Sequence, residues 1–438
     1  VLGNGAMSGS NPAAHDYADS FAGVAPEAKL VFQSTLDADG GLGGIPDNLN
    51  DLLGPPYQDG ARIHTNSWSE YGVPDADSVN GVYNTRSRQV DEFVWNHRDM
   101  VVLFSASNAG KDSGGDGVVD TDSVRPPGTA KSSITVGATE NYRPSRTDTY
   151  GQWWPQDFPA YPLKSDRMSN DMGGMAAFSG RGPTDDERIK PDIAAPGTFV
   201  LSVRSQAASG SGWGVYNDYY LYMGGTSMST PLTAGAAALV RQAYVQRLSV
   251  PAPSAALIKA TLLNGARDIY PGQYGEGPCQ EIGSPVPNWD TGWGRLNLRD
   301  SIMPVAPRMV RFVEEKGGLQ TGQSRTYTAQ VVPTGAGQGN QSSTGLAELR
   351  LAPLDADPTE SSPPSESGQA EANAATCTNR VSNGGFEYQF TGWTTEGRTE
   401  LSGEDVHSGR YSAWLGGLNN VHDWLYQAVL VPSDISDG

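Results

Sequence analysis

A serine hydroxyl beside a pair of glycines is the feature of this sequence best suited to chemistry. Gly224 and Gly225 come shortly before Ser227, and the apolar run 232–248, made mostly of Ala, Gly, Leu and Val, predicts a helix. Glycine lets the backbone approach a ligand closely, and the first amides of a helix carry partial positive charge. Ser227 is therefore predicted at the start of a helix, where an oxyanion formed beside its hydroxyl would be stabilised.

The segment around Ser227 and several motifs upstream of it together resemble the motifs of one known protein family. Segment 225–231, Gly-Thr-Ser-Met-Ser-Thr-Pro, resembles the nucleophile motif of the subtilisin-like serine peptidases. The other matching motifs follow in that family's order: Asn66-Ser67-Trp68, Ser105-Ala106-Ser107-Asn108-Ala109-Gly110, Pro127-Gly128-Thr129-Ala130, Ile134-Thr135-Val136-Gly137-Ala138, Phe178-Ser179-Gly180-Arg181-Gly182-Pro183 and Lys190-Pro191-Asp192-Ile193-Ala194-Ala195-Pro196-Gly197. The resemblance covers roughly residues 1–302. It is closest to the bacterial alkaline-protease branch that carries a β-sandwich after the catalytic domain.

The resemblance implies a fold, a reaction and a set of site residues. The fold is a doubly wound parallel α/β sheet with helices on both faces, and the reaction is peptide hydrolysis through an acyl-enzyme on Ser227. Asn108 supplies a side-chain amide to the oxyanion, although a loop Asn that supports a turn is the alternative. The substrate-binding residues are Ser67, Trp68, Ser69, Ser105, Ala106 and Ser107. Ser69 stands where the family usually has Gly, so its side chain narrows the first pocket or alters backbone approach.

The proton acceptor that Ser227 needs is missing from its expected place. The family's chain order is Asp, then His, then Ser, yet residues 1–226 contain no His-Gly-Thr-His motif, and their one Asp-Ser-Gly, at 112–114, is not followed by such a histidine motif. We interpret His64 as a core histidine and His97 as a helix-end residue, and His15 lacks the glycine context of a base. We therefore expect an N-terminally truncated fragment of an active peptidase, inactive by itself, with a true pseudoenzyme as the alternative.

Strands that alternate with helices predict the elements that position these residues. Short runs at 29–33, 62–66 and 100–106 predict strands, the last one apolar throughout as in a sheet buried on both faces. Segments 46–53 and 79–97 predict helices. Ligands bind at the carboxyl ends of parallel strands, and Asn66 and Asn108 both fall at such ends.

An acidic, glycine-rich loop that follows Asn108 is a candidate metal site. Asp112, Asp116 and Asp120 occupy positions one, five and nine of this loop, with Gly at position six. This spacing partly matches that of calcium loops, although position twelve is Ser123 and not Glu. An ordinary acidic turn is the alternative. A bound calcium ion would stiffen the loop that holds Asn108.

From about Val305 onward, the pattern of strands alternating with helices is replaced by runs with the alternation typical of strands. Alternating runs at 308–313 and 324–332 predict strands within a β-sandwich segment, 303–352, and a Pro-, Glu- and Ser-rich stretch at 353–378 predicts a disordered linker. Segment 379–438 resembles the first half of a carbohydrate-binding jelly-roll module. Its tryptophans, Trp393, Trp414 and Trp424, either stack on sugar rings or fill the core of that module.

Composition limits the partners of this chain. Its 30 Lys and Arg against 49 Asp and Glu give a net charge of −19, which argues against nucleic-acid binding. No apolar run is long enough to span a membrane, and the two cysteines, Cys279 and Cys377, either pair or stay free. We expect a secreted endopeptidase acting on proteins or peptides. The alternative is a secreted, non-catalytic carbohydrate-binding or adhesion protein on a dead peptidase scaffold.

Overall fold

The computed structural model describes residues 21–38, 41–72, 75, 77–205, 209–304, 312–314, 324–331 and 345–351. The chain divides into two compact units, Val1–Pro304 and Val305–Gly438. None of the helices in the described ranges is long and apolar enough to cross a membrane.

A four-stranded parallel sheet lies at the centre of the first unit. Its strands are β1 (Ile63–Asn66), β2 (Val101–Ser105), β3 (Ile134–Thr139) and β4 (Ile193–Pro196), in the order β1-β2-β3-β4. Every residue of β2 and β3 is buried. Because successive side chains of a strand point to opposite faces, both faces of the sheet are covered. The predicted parallel α/β fold is confirmed, and strands 62–66 and 100–106 differ from β1 and β2 only at their ends.

Six α-helices surround or follow this sheet in the described part of the first unit. They are α1 (Asn50–Gln58), α2 (Thr85–Asn96), α3 (Tyr150–Trp153), α4 (Thr226–Gln246), α5 (Ala255–Asn264) and α6 (Leu298–Ile302). Helix α4 contacts all four strands, while α2 contacts β2 and packs on α1. Helix α4 is therefore the element that ties the strand ends to the serine motif.

A second, antiparallel sheet leads the chain into α4. Its strands are β5 (Val200–Val203), β6 (Gly214–Val215) and β7 (Tyr220–Met223), in the order β5-β7-β6. Strand β7 ends one residue before the glycine pair. An aromatic cluster that includes Tyr150, Phe158, Phe178 and Phe199 packs beside this sheet, with Trp154 and Trp213 partly buried against it.

The helix predicted at 232–248 begins six residues earlier than the apolar pattern indicates. Gly225 is its N-cap residue with φ of 131°, a conformation that L-residues rarely adopt, and Thr226 is the first helical residue. Pro231 is the sixth residue of α4, and Ser227 lies at the start of the helix as predicted. Helix α2 likewise begins at Thr85 and not near 79, because the Asn84 side chain accepts the backbone N–H groups of the first turn.

The strand predicted at 29–33 is wrong. Leu30, Val31 and Phe32 are 61%, 42% and 82% exposed, and the segment has no strand geometry. Strand β1 pairs only with β2 among the described strands, so this run forms no ladder with β1, although Gln33 Oε1 lies 3.0 Å from the ring of His64 in that strand. A run of β-favouring residues becomes a strand only when another strand satisfies its backbone groups.

Two strands are described in the second unit. They are β8 (Arg325–Val331) and β9 (Gly345–Leu351), which pair antiparallel with Arg325 opposite Leu351. The strand predicted at 324–332 is confirmed as β8, whereas Phe312 and Val313 of the run 308–313 are not in a strand. The predicted linker, the jelly-roll segment with its three tryptophans, and Cys377 lie outside the described residues.

Candidate active site

Ser227 is the second residue of α4 and is tied to the segment that follows β1. Its Oγ donates to the backbone oxygen of Ser67 at 3.2 Å, and Ser67 Oγ donates back to the backbone oxygen of Ser227 at 2.7 Å. Pro231 explains the second bond, because it lacks the N–H that would otherwise reach the Ser227 carbonyl four residues earlier. The start of α4 is thereby fixed beside the carboxyl end of the parallel sheet.

Asn108 follows β2 and lies beside the first residue of α4. Its Oδ1 accepts hydrogen bonds from the backbone N–H and the hydroxyl of Thr226, each at 2.9 Å. The Thr226 hydroxyl is also 3.1 Å from the backbone oxygen of Ser107. With Oδ1 occupied in this way, the Nδ2 group of Asn108 is turned toward Gly225.

The space above Gly225 is bordered by two hydrogen-bond donors. A Cβ atom built on Gly225 would lie 3.1 Å from Asn108 Nδ2 and 3.6 Å from the backbone nitrogen of Ser227. The first amides of a helix have no partner within the helix, so the Ser227 N–H can donate into this space. Two converging N–H donors next to a serine hydroxyl are the arrangement that a developing oxyanion needs.

The predicted substrate-binding segments are brought together beneath this space. Ser105 Oγ donates to the backbone oxygen of Trp68 at 3.3 Å, which links the end of β2 to the segment after β1. Ser105, Ala106 and Ser107 are buried. Ser107 has φ of 96° and is anchored by its hydroxyl to the backbone oxygen of Ser123 at 2.6 Å. These three side chains therefore support the site from behind.

Trp68 and Ser69 line a cavity of about 460 Å³, which we call the Trp68 pocket. Leu42 and Tyr71 also face it, and the Trp68 ring packs edge-on against Phe104 with centroids 5.2 Å apart. Glu70 in the wall accepts a hydrogen bond from Asn84 at 2.7 Å and lies 3.4 Å from Arg86. The pocket is therefore lined by aromatic, aliphatic and polar side chains, with the charge of Glu70 paired at its wall.

A second cavity, of about 230 Å³, opens on the other side of the oxyanion space, and we call it the Trp213 pocket. Its lining includes Asn108 and Gly225 together with Trp154, Asp157, Phe178 and Trp213. None of these last four residues belongs to the predicted site. Only the tryptophans and the Phe178 motif could have drawn attention in the sequence, and nothing in their spacing indicates that they meet.

Neither histidine in the described ranges contacts Ser227. His64 Nε2 lies 3.0 Å from Gln33 Oε1, and His64 Nδ1 lies 2.9 Å from Asn66 Nδ2. Burial lowers the pKa of His64 to about 4, so it is neutral near pH 7. His97 follows α2, with its ring 2.9 Å from the Phe93 carbonyl. Neither ring is therefore placed as a base for Ser227, and His15 lies outside the described residues.

The Asp112 loop is held together by its own backbone. Both oxygens of Asp112 accept backbone N–H groups, from Asp116 and Gly117 at 3.0 Å, and Asp120 accepts the N–H of Ser113 at 2.8 Å. Across the described residues, no three carboxylate, His or Cys side chains are grouped to hold a metal ion. Calcium binding at this loop stays a prediction.

The Lys190-Pro191-Asp192 motif stabilises the sheet. Asp192 is buried and accepts Lys190 Nζ and Lys259 Nζ at 2.7 Å each, as well as the backbone N–H of Thr135 at 2.7 Å. Burial lowers the pKa of Lys190 to about 7. A buried carboxylate satisfied by three donors ties α5, β3 and the residue before β4 together. This motif therefore has a structural role in the arrangement that carries Asn108.

Proteins described as serine proteases are among the relatives of this chain. AprX, a serine protease of Bacillus subtilis (strain 168), is 32% identical over 189 residues, covering 41% of this chain and 33% of AprX. Serine protease/ABC transporter B family protein tagD of Dictyostelium discoideum is 25% identical over 510 residues, covering 95% of this chain and 26% of that protein. The chain thus spans about a quarter to a third of the length of these two relatives.

A solved structure and a family model also match this chain. The structure of the prenylagaramide maturation protease PagA matches with a TM-score of 0.36 and 18% identity, over 63% of this chain and 69% of that one. The model of the Subtilase family matches residues 3–294. Since this match extends over more than half of the sequence, the chain belongs to the Subtilase family of serine peptidases.

Proposed function

We propose that this chain carries the nucleophile and the oxyanion-binding donors of a secreted serine endopeptidase. Ser227 Oγ attacks the carbonyl carbon of a peptide bond, and the carbonyl oxygen becomes an oxyanion. Collapse of this intermediate breaks the C–N bond, and the amine leaves with a proton while the acyl group stays on Ser227. Water then releases the acyl group as a carboxylic acid.

The observation that supports this proposal most strongly is the convergence at Gly225. Asn108 Nδ2 and the Ser227 N–H border one small space, and Thr226 fixes the direction of the Asn108 amide. Donors held rigid by other contacts need no reorganisation when charge develops, and this is how an oxyanion hole lowers the barrier. If Asn108 only supported a turn, its side-chain amide would not need to lie beside a serine at the start of a helix.

The described residues contribute no general base to Ser227. Its hydroxyl donates to a backbone oxygen, and His64 and His97 are engaged elsewhere. We therefore infer that this chain by itself does not hydrolyse peptides at an appreciable rate, because an unactivated serine is a weak nucleophile. Sequencing the coding DNA upstream of Val1 for an Asp-Ser/Thr-Gly and a His-Gly-Thr-His motif tests the origin of the base.

Hydrolysis of a quenched fluorescent peptide library tests the reaction itself. In a form of the protein that hydrolyses peptides, Ser227→Ala should abolish turnover and labelling by a fluorophosphonate, and Ser229→Ala should leave labelling in place. Persistence of both activities in the Ser227→Ala protein would remove Ser227 as the nucleophile. If the present chain hydrolyses peptides and the His15→Ala protein does not, His15 is the base, and the inference that this chain is inactive by itself is wrong.

Recovery of the protein from culture medium tests secretion.

A further inference from the structure

Aromatic rings form the walls of the Trp213 pocket, and their contacts hold them in place. Trp154 and Phe178 meet edge-on at 5.9 Å, and Phe178 and Trp213 meet edge-on at 6.0 Å. Phe178 is buried, so this wall is anchored in the protein interior. Edge-to-face ring pairs of this kind are favourable and directional, and the pocket is therefore preformed.

Gly224 allows Trp213 to reach the site. A Cβ atom on Gly224 would lie 2.0 Å from the Trp213 ring, so only glycine leaves room for this contact. Since Gly224 directly precedes Gly225, the indole packs against the backbone that leads into the oxyanion space. A ligand group in the Trp213 pocket would therefore lie within one or two residues of an acyl group on Ser227.

One carboxylate faces the pocket without a cation of its own. Asp157 is exposed and makes no ion pair within the described residues, while its backbone oxygen accepts the N–H of Asp112 at 2.8 Å and its backbone N–H donates to Trp154 at 3.2 Å. Its position is thus fixed by the main chain while its side chain stays available. A carboxylate beside aromatic faces attracts a cation both by charge and by the ring quadrupoles.

The same aromatic cluster already binds one guanidinium group elsewhere. Arg146 lies over the rings of Tyr222 and Phe199, with its guanidinium carbon 4.5 Å and 5.0 Å from their centroids. Phe199 in turn contacts Trp213 at 5.1 Å. The electronic character of these rings therefore suits a cationic side chain, and Arg146 occupies a different part of the cluster from the Trp213 pocket.

We propose that the Trp213 pocket binds a lysine or arginine side chain of the peptide substrate, at a position close to the bond that is cleaved. This rests on the proposed peptidase function and adds a substrate class to it. The alkyl part of the side chain lies along Trp154 and Trp213, and the charged end meets Asp157. A volume of about 230 Å³ is below the range of about 300–1,000 Å³ found for small-molecule pockets, so it suits one side chain.

The charge of the whole chain acts in the same direction. A net charge of −19 creates a field that raises the local concentration of basic peptides and repels acidic ones. This long-range attraction is screened by salt, whereas binding within the pocket is screened much less. The two effects can therefore be separated by varying the ionic strength.

Binding of short peptides to the Ser227→Ala chain tests this proposal without any need for hydrolysis. Blocked tripeptides that differ only in a central lysine, arginine, norleucine or glutamate are titrated while tryptophan fluorescence is recorded, at low and high salt. Norleucine has the alkyl chain of lysine without its charge. We expect lysine and arginine peptides to bind about fivefold or more tightly than the norleucine peptide, as the strength of cation–π and ionic contacts implies.

A matched pair of charge variants separates the pocket from the general field. Asp157→Asn should remove most of the preference for lysine over norleucine, and Asp59→Asn, at an exposed carboxylate just after α1, should retain it. Equal affinity for lysine and norleucine, an equal loss in both variants, or no saturable fluorescence change with any peptide would each overturn the proposal. Failure of the hydrolysis experiment would leave these binding results unaffected, so the two proposals fail separately.

Discussion

Oδ1 of Asn108 accepts both the backbone N–H and the hydroxyl of Thr226, each at 2.9 Å. The two residues are 118 positions apart in the chain. Asn108 follows the central strand β2, and Thr226 starts the helix that carries Ser227. This contact fixes which end of the carboxamide faces the oxyanion space, and it is the point at which the sheet and α4 jointly form the site.

Replacing Thr226 by valine tests this orienting role. The change keeps the shape of the side chain and removes one of the two hydrogen bonds to Asn108, a bond worth about 1 kcal/mol. In a form of the protein that hydrolyses peptides, we expect kcat to fall about fivefold with little change in KM, because the amide acts on the transition state and not on the bound substrate. Thr226→Ser should restore the rate. An equal fall in the Thr226→Ser protein, or a loss confined to KM, would contradict this role.

A methyl group on Gly225 should block the oxyanion space. The added carbon would lie 3.1 Å from Asn108 Nδ2, in a backbone conformation with φ of 131°. In a form of the protein that hydrolyses peptides, we expect Gly225→Ala to lower kcat by about a hundredfold or more, on the scale of a lost oxyanion-hole donor, and to lower the stability by about 1–3 kcal/mol. Gly210→Ala is the control, since its methyl group would meet nothing within 4 Å. Similar rates for the two variants would show that no oxyanion forms there.

Acidification should destabilise the protein through His64. Burial lowers the pKa of His64 from 6.5 in the unfolded chain to about 4 in the fold. The folded state therefore binds a proton more weakly, and its stability falls as the pH drops from about 6.5 toward 4, by about 3 kcal/mol at most. Urea denaturation across this range should show a smaller pH dependence for His64→Gln than for the wild type. Identical pH profiles would contradict a buried neutral His64.

Calcium binding at the Asp112 loop can be tested directly, since each Asp112 oxygen accepts one backbone amide and keeps a lone pair for a cation. If calcium binds, millimolar calcium should raise the thermal midpoint, and a chelator should reverse the rise. Asp116→Asn combined with Asp120→Asn should remove the response while leaving the two Asp112 hydrogen bonds in place. A wild-type midpoint that responds to neither calcium nor chelator would refute the calcium prediction.

Secondary structure was predicted correctly from the sequence where the residues of the segment itself determine it. A glycine pair followed by a serine and a small-residue apolar run indicates a helix start whether or not the rest of the chain is known, and α4 begins there. The largely apolar run 100–106 fits a strand buried on both faces, and β2 places Asn108 at the carboxyl edge of the sheet. At Leu30–Phe32 a similar run gave a wrong prediction, because a strand also needs pairing with another strand, and β1 pairs only with β2 among the described strands.

What the sequence by itself determined is the family, the parallel α/β fold and the identity of the serine segment, because these follow from motifs and periodicities carried by contiguous residues. Only the tertiary structure decided which residues meet. Ser67 and Ser227 bond across 160 positions, and Trp154 and Trp213 enclose a pocket with Asp157 although no spacing relates them. The physical reason is that such contacts depend on how the sheet and α4 pack, and packing is a property of the whole chain.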